Sequence, residues 1–212
     1  MKELKNKIKV LELFSGIKSF SKQLDKRKYE VISLDILPKF KPDIITNILE
    51  WDYTNLKFKP DIIWSSPPCI EYSHAKRRGV RNLELADKIV KKTLEIIKYF
   101  KPKIWFMENP QTGLLKKRDF MINLNLPYVD VSYCQYGYPY RKQTRIWTNL
   151  NNWHGKTCNK KTCLMVQNGK HIGSAGNGRT KYTFKLFNQT DKYSIPPKLI
   201  KEIILKIEET IK

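Results

Sequence analysis

Short apolar runs that stop at polar or proline-rich residues alternate along the chain with longer stretches in which apolar residues recur every three or four positions. The first run, residues 7–14 (KIKVLELF), stops at Ser15-Gly16, and residues 17–25 follow with helical spacing. That pattern predicts a strand, a tight turn and a helix. Runs at 29–34 (YEVISL), 43–48 (DIITNI) and 61–64 (DIIW) also end abruptly, as buried strands of a parallel sheet do. Residues 83–100 place Leu85, Ile89, Val90, Ile96, Ile97 and Phe100 on one helical face, which predicts an amphipathic helix. A fifth strand is expected at 103–107 (KIWFM), and two more at 128–133 and 144–149 bracket residues 134–143. Finally, Ser194-Ile195-Pro196-Pro197 opens a closing helix over 198–211, with Leu199, Ile203, Ile207 and Ile211 in register and proline where a first helical turn tolerates it. Strand alternating with helix implies an α/β fold, a doubly wound Rossmann-like sheet.

Composition narrows the class. A chain of 212 residues that is 41% hydrophobic can bury one sizeable core. Four cysteines are too few for a disulfide scaffold of this length, and the basic start leads into no signal-type apolar region, so an intracellular, cytoplasmic setting is expected. Every candidate apolar run is interrupted by charge, which excludes a membrane helix. The formal charge of +21, from 41 Lys+Arg against 20 Asp+Glu, points to a polyanionic partner. Most of those cations are lysines in a chain also rich in Ile and Asn. AT-rich coding alone yields that composition, so the placement of the charges has to decide.

In open α/β sheets ligands sit beyond the carboxyl ends of the strands. The first strand ends at Phe14-Ser15-Gly16, where glycine lets a ligand approach the backbone. The second ends at Asp35, an acid placed to accept hydrogen bonds from a ribose. Alone, such a pair is common and equally consistent with a plain turn. The fourth strand ends Ser65-Ser66-Pro67-Pro68-Cys69. Two prolines stiffen this loop and hold Cys69 at the sheet edge as a candidate nucleophile, although a buried cysteine often serves only as a small hydrophobe. The fifth strand ends Glu108-Asn109-Pro110 and offers a carboxyl group one strand-end away.

At these residues the chain resembles the DNA cytosine-C5 methyltransferases that use S-adenosylmethionine. The family's ordered motifs are met by Phe14-Ser15-Gly16, Asp35, Pro68-Cys69, Glu108-Asn109-Pro110, Tyr136-Gly137-Tyr138-Pro139 with Arg145-Ile146-Trp147, and Ile195-Pro196-Pro197. The compact form looks like the short versions carried by large DNA viruses and phages. The resemblance implies a Rossmann-like methyltransferase sheet with a small loop-rich recognition segment. It also implies S-adenosylmethionine as cofactor, bound by Phe14, Gly16, Asp35, Asn47 and Pro67. Cys69 would add to cytosine C6, Glu108 would hydrogen-bond the ring, and Arg145 would hold the cytosine carbonyl. The expected division is a catalytic domain over 1–149, a recognition segment over 150–192 and a closing helix over 193–212. A monomer is expected, acting on DNA, with RNA an open alternative.

The chain departs from the family pattern in four places. Lys18 replaces the usual second glycine and Asn47 a usual aspartate, Tyr140 stands in place of glutamine, and residues 150–192 replace a much longer recognition domain. In that segment Cys158, Cys163 and His171, with His154 near, offer zinc ligands, but the Cys-x4-Cys spacing is looser than in usual knuckles and unrelated loop cysteines are the favoured reading. Ser73, Lys76, Arg77, Arg78, Arg81 and Arg141 are the candidate nucleic-acid contacts, because most of them follow the nucleophile loop directly. Asn177, Arg179, Lys181 and Gln189, with Trp153 and Tyr182 for stacking, are the candidate base readers, enough for a site of about two to four base pairs. An amino methyltransferase acting on cytosine N4 or adenine N6 also uses a Ser-Pro-Pro loop, though Cys69 is no stacking residue. A non-catalytic nucleic-acid-binding relative is the remaining alternative.

Overall fold

The computed structural model describes residues 7–74, 76, 78–173 and 193–211. Their centre is a seven-stranded sheet in the order β3-β2-β1-β4-β5-β7-β6. Strands β1 (Ile8–Leu13), β2 (Tyr29–Asp35), β3 (Ile44–Ile45), β4 (Ile62–Ser65) and β5 (Ile104–Pro110) are parallel. β7 (Gln143–Thr148) inserts antiparallel between β5 and β6 (Tyr128–Ser132). The expected α/β sheet is therefore present. Its central strands carry apolar side chains on both faces, as a sheet covered on both sides requires: Val10, Leu11, Ile62 and Ile63 are each 0% exposed.

One face packs Val10, Trp64, Phe106 and Ile146 under Leu199, Ile200, Ile203 and Ile207 of the closing helix. The other packs Leu11, Leu13, Leu34 and Ile63 against Ile96, Ile97 and Phe100 of α1 (Leu83–Phe100). Asn82 caps α1 by accepting the Leu85 N–H, and Lys101 ends it in a left-handed conformation. A short α2 (Asp119–Leu124) follows β5, and α3 (Pro197–Ile211) is the closing helix. Among the described residues no helix is long and apolar enough to cross a membrane.

Two local expectations are corrected, and one element is new. Residues 17–25 form turns and a single 3-10 turn (Ser21–Gln23), because Phe14 and Lys18 take left-handed φ values of 57° and 60°, which interrupt a right-handed helix. Phe20 still reaches the core, stacked on Trp64 with ring centroids 4.6 Å apart. The third strand shrinks to Ile44–Ile45, since the Asp43 carboxylate caps the Ser33 N–H and the Asn47 side chain accepts the Leu49 N–H, turning the chain away on both sides. A hairpin of β8 (Val166–Gln167) and β9 (Lys170–His171) was not anticipated. Its turn is Asn168-Gly169, both residues left-handed, which is the strongest short-range hairpin signal a sequence carries.

The first part of the expected recognition segment is built onto the sheet. Ser132 N–H donates to the Lys156 carbonyl at 2.9 Å, and Cys158 N–H donates to Ser132 Oγ at 3.1 Å. Gly155 permits that closeness, because a Cβ there would fall 2.4 Å from a Val131 methyl. Trp153 is 2% exposed and donates its indole N–H to Glu202 of α3 at 3.0 Å, so it is core rather than a stacking platform. Asn177, Arg179, Lys181, Tyr182 and Gln189 lie outside the described residues.

Candidate active site

The chain leaves β1 toward β2 on one side, while β4 pairs on the other side of β1. The crevice beyond their carboxyl ends is the switch point where such sheets bind ligands. Asp35, 8% exposed at the end of β2, accepts the Gly16 N–H at 2.8 Å and the Leu37 N–H at 2.9 Å, one on each oxygen. The two features read separately from the sequence are thus one structure, a turn held by the acid. Each carboxylate oxygen keeps a free lone pair for a further donor. Ser15 Oγ is buried with no partner among the described residues, and a Cβ on Gly16 would meet only the Phe14 carbonyl, at 4.0 Å. Lys18 takes a left-handed φ of 60°, a conformation that favours glycine. Ser19 Oγ accepts the Ile195 N–H at 3.2 Å, which ties this turn to the Pro196-Pro197 segment. Asn47 lies just beyond β3, its amide donating to Glu50 at 3.0 Å.

The nucleophile loop is fixed from several directions. The Asn109 side-chain amide donates to the Pro67 carbonyl at 2.9 Å, clamping the proline loop to β5. Tyr72 N–H returns to the Cys69 carbonyl at 3.1 Å and Ser73 N–H to the Ile70 carbonyl at 3.3 Å. Tyr72 itself is fully buried and donates its hydroxyl to Asp87 at 2.8 Å, and Arg118 grips the same carboxylate with contacts as short as 2.7 Å. The loop is therefore positioned by a charged pair beneath it.

Glu108, on β5 and 7% exposed, receives the Tyr133 hydroxyl at 3.4 Å, and Lys142 Nζ lies 3.8 Å from the same oxygen and 4.7 Å above the Tyr133 ring. Both charges act on the Cys69 thiol. Burial pushes that thiol up, the Glu108 carboxylate adds to the rise, and the Lys142 ammonium opposes it. Cys69, Glu108 and Lys142 thus form one electrostatic unit.

Arg145 does not join them. Its guanidinium pairs with Asp130 through two 2.8 Å contacts and lies 3.4 Å from the centre of the Tyr128 ring. Alternation explains this: Glu108 pairs across the sheet with Ile146, whereas Arg145 pairs with Asn109 and Asp130, so Arg145 and Glu108 point to opposite faces. Lys142 has the parity of Ile146. Sequence reading settled on the arginine by its motif and passed over the lysine, whose signal was that same alternation.

The basic run is also partly committed to its own loop. Lys76 pairs with Glu71 at 2.6 Å and donates to the Val80 carbonyl, and Arg81 donates to the Glu71 and Lys76 carbonyls at 2.6 and 3.2 Å. Arg78 is exposed, and Arg77 lies outside the described residues. Arg141 sits beside a different group, where Cys158, Cys163 and His171 converge with Cys134, a fourth member the sequence reading missed.

A mostly parallel sheet with its switch point at β1, an acid holding a glycine turn, and a thiol-bearing loop clamped to the strand that carries a carboxyl group place a ligand crevice at the carboxyl edge of the sheet. Comparisons with known proteins carry this further. Residues 8–125 match the C-5 cytosine-specific DNA methylase family. A protein of frog virus 3 (isolate Goorha), named a probable DNA (cytosine-5)-methyltransferase, is 31% identical over 224 residues, covering 93% of this chain and 99% of that protein. The chain belongs to the C-5 cytosine-specific DNA methylase family, as a short member of the kind found in viruses. Among solved structures, a prophage-encoded E. coli protein described as a DNA modification methyltransferase superposes with a TM-score of 0.52 at 15% identity, over 66% of this chain and 46% of that one. This likeness shows the fold, and the chain spans less than half of that structure's length.

Proposed function

We propose that the protein methylates C5 of a cytosine in DNA, using S-adenosylmethionine and a transient bond between Cys69 and cytosine C6. The observation that carries the reading is the clamping of the Cys69 loop to β5, through the Asn109 amide on the Pro67 carbonyl at 2.9 Å, beside Glu108 with Lys142 at 3.8 Å, on the same sheet edge as the turn held by Asp35. The orphaned Ser15 hydroxyl, the open space before Gly16 and the free lone pairs on Asp35 suit a ribosyl cofactor with a polar tail. When bound, S-adenosylmethionine supplies an electrophilic sulfonium methyl.

The chain's own residues do the rest. A cytosine inside a duplex is out of reach of this crevice, so the base must be flipped into it. Cys69 Sγ, as thiolate, adds to C6 and drives electron density onto C5, which otherwise is too weak a nucleophile. Glu108, having taken up a proton from solvent, donates it to N3 and accepts from the exocyclic amine with its other oxygen, which stabilises the charge that develops on attack. Once C5 carries the methyl group, loss of its proton expels Sγ and regenerates the thiolate. Lys142 supplies the positive charge for which the motif suggested Arg145. Asp35 takes the ribose hydroxyls, with Phe14, Asn47 and Pro67 around the cofactor, and Arg78 is an exposed cation near the loop.

Asp35→Ala tests the cofactor half. It removes the acceptor and leaves hydroxyls unpaired, so affinity for S-adenosylmethionine measured by calorimetry is expected to fall by about 1–3 kcal/mol. Unchanged affinity would move the cofactor elsewhere.

Lys142 tests the electrostatics. A thiol with a raised pKa is mostly protonated at neutral pH, and its reactivity grows as pH rises. Lys142→Met removes the opposing charge, raises the thiol further and is expected to slow alkylation of Cys69 at neutral pH. Lys142→Arg should restore it. Equal alkylation in all three proteins would show that Lys142 does not act on the thiol.

A further inference from the structure

The geometry points to a structural zinc site formed by Cys134, Cys158, Cys163 and His171, which fastens the β8–β9 hairpin to the end of β6 beside the catalytic pocket. The four ligand atoms all lie within 4.8 Å of one another. His171 Nε2 is 3.4 Å from Cys158 Sγ and 3.7 Å from Cys163 Sγ. Bonds of about 2.3 Å to sulfur and 2.0–2.1 Å to nitrogen at tetrahedral angles would hold such S and N atoms about 3.6 Å apart. Three thiolates and one imidazole form a closed four-ligand set, with no place left for a reacting water, so the site is structural rather than catalytic.

Two independent features call for such a cross-link. The hairpin's strands are two residues each, and within residues 157–173 the buried side chain is that of Cys163, while Leu164 is 93% exposed. A hairpin of this size with no core of its own is marginal in water and needs a staple. Charge supplies the other. Three thiolates around a divalent ion leave a net charge of −1, and Arg141, whose Nε is buried without a hydrogen-bond partner among the described residues, lies within electrostatic reach of both Cys158 and His171. On binding, the three thiols give up their protons to solvent and His171 coordinates as neutral imidazole.

The ligands come from distant parts of the chain. Cys134 lies in the turn Tyr133–Tyr136 after β6, next to the tyrosine that donates to Glu108. Cys158 lies in the loop bonded to Ser132, Cys163 precedes β8, and His171 is the last residue of β9. The Gly173 N–H donates to the Pro139 carbonyl at 2.8 Å, in the loop that leads to Lys142. A metal here would therefore hold in place the backbone bearing Tyr133 and Lys142.

The test uses the full chain, purified without chelator and reduced. Elemental analysis is expected to find about one zinc per chain in the wild type and less than about a tenth of that in Cys163→Ser and His171→Ala. Where a variant fails to fold, cobalt added to the stripped wild type serves instead and should give intense tetrahedral d–d bands with thiolate charge transfer. Removing the metal should lower Tm and release hydrogen-exchange protection across residues 158–171. Zinc well below one per chain after incubation with zinc, no thiolate–cobalt band, or a disulfide among these cysteines would each overturn the proposal. Zinc content, the cobalt spectrum and thiol oxidation are read without assaying methyl transfer, so the two readings fail separately.

Discussion

Cys69→Ala is expected to abolish methyl transfer to cytosine while leaving S-adenosylmethionine affinity unchanged within a few-fold. The loss should be on the order of 10⁴-fold or more, because the covalent route is removed rather than weakened. Folding should survive. Cys69 is only half-buried, and its loop is held by bonds that do not use the thiol: Asn109 to the Pro67 carbonyl, Tyr72 to Asp87, and the Tyr72 N–H to the Cys69 backbone carbonyl. Radiolabelled methyl transfer and calorimetry on the same preparation separate the two effects. Retained turnover in the alanine variant would contradict the mechanism and favour an amino methyltransferase, which needs no thiol.

Glu108→Gln should separate two effects that usually move together. Turnover is expected to fall by about 10²–10³-fold, the cost of losing one preorganised group that meets developing charge. The Cys69 thiol should meanwhile become more reactive. The Glu108 carboxylate contributes to the raised Cys69 pKa, so its removal lowers that pKa and increases the thiolate fraction at neutral pH. Alkylation of Cys69, followed by peptide mapping, should therefore accelerate in the variant whose catalysis is worst. If alkylation and turnover fall together, Glu108 merely supports the loop.

The sheet was legible because its central strands are buried on both faces and read as unbroken apolar runs ending at chemically distinctive residues. The placement of Cys69, Glu108, Asp35 and Gly16 at or just beyond strand ends was legible for the same reason. What was not legible depended on pairing across the chain. Arg145 and Lys142 are three residues apart, and only the register of β7 against β5 shows that Lys142 shares Glu108's side while Arg145 turns to Asp130. Lys76 and Arg81 read as a free basic patch because Glu71, their partner, lies before the run and not within it. Cys134 falls in the segment bracketed by two expected strands, far from the other three in sequence, and only the fold carries it to Cys158, Cys163 and His171. The left-handed Lys18 is a different matter. It holds a glycine's conformation without being one, a strain on the order of 1–2 kcal/mol that sequence periodicity does not register.

The most direct measurement is covalent trapping with a DNA oligonucleotide in which 5-fluorocytosine replaces cytosine in mixed sequence contexts. Fluorine at C5 blocks the proton loss that expels Sγ, so the intermediate accumulates. With S-adenosylmethionine present, the wild-type protein is predicted to form a denaturation-resistant adduct whose mass equals protein plus oligonucleotide plus one methyl group less the thiol hydrogen, with the linkage mapped to Cys69 and no adduct from Cys69→Ala. Methylation of ordinary cytosine by a protein that forms no adduct, or an adduct mapped to another residue, would contradict the account.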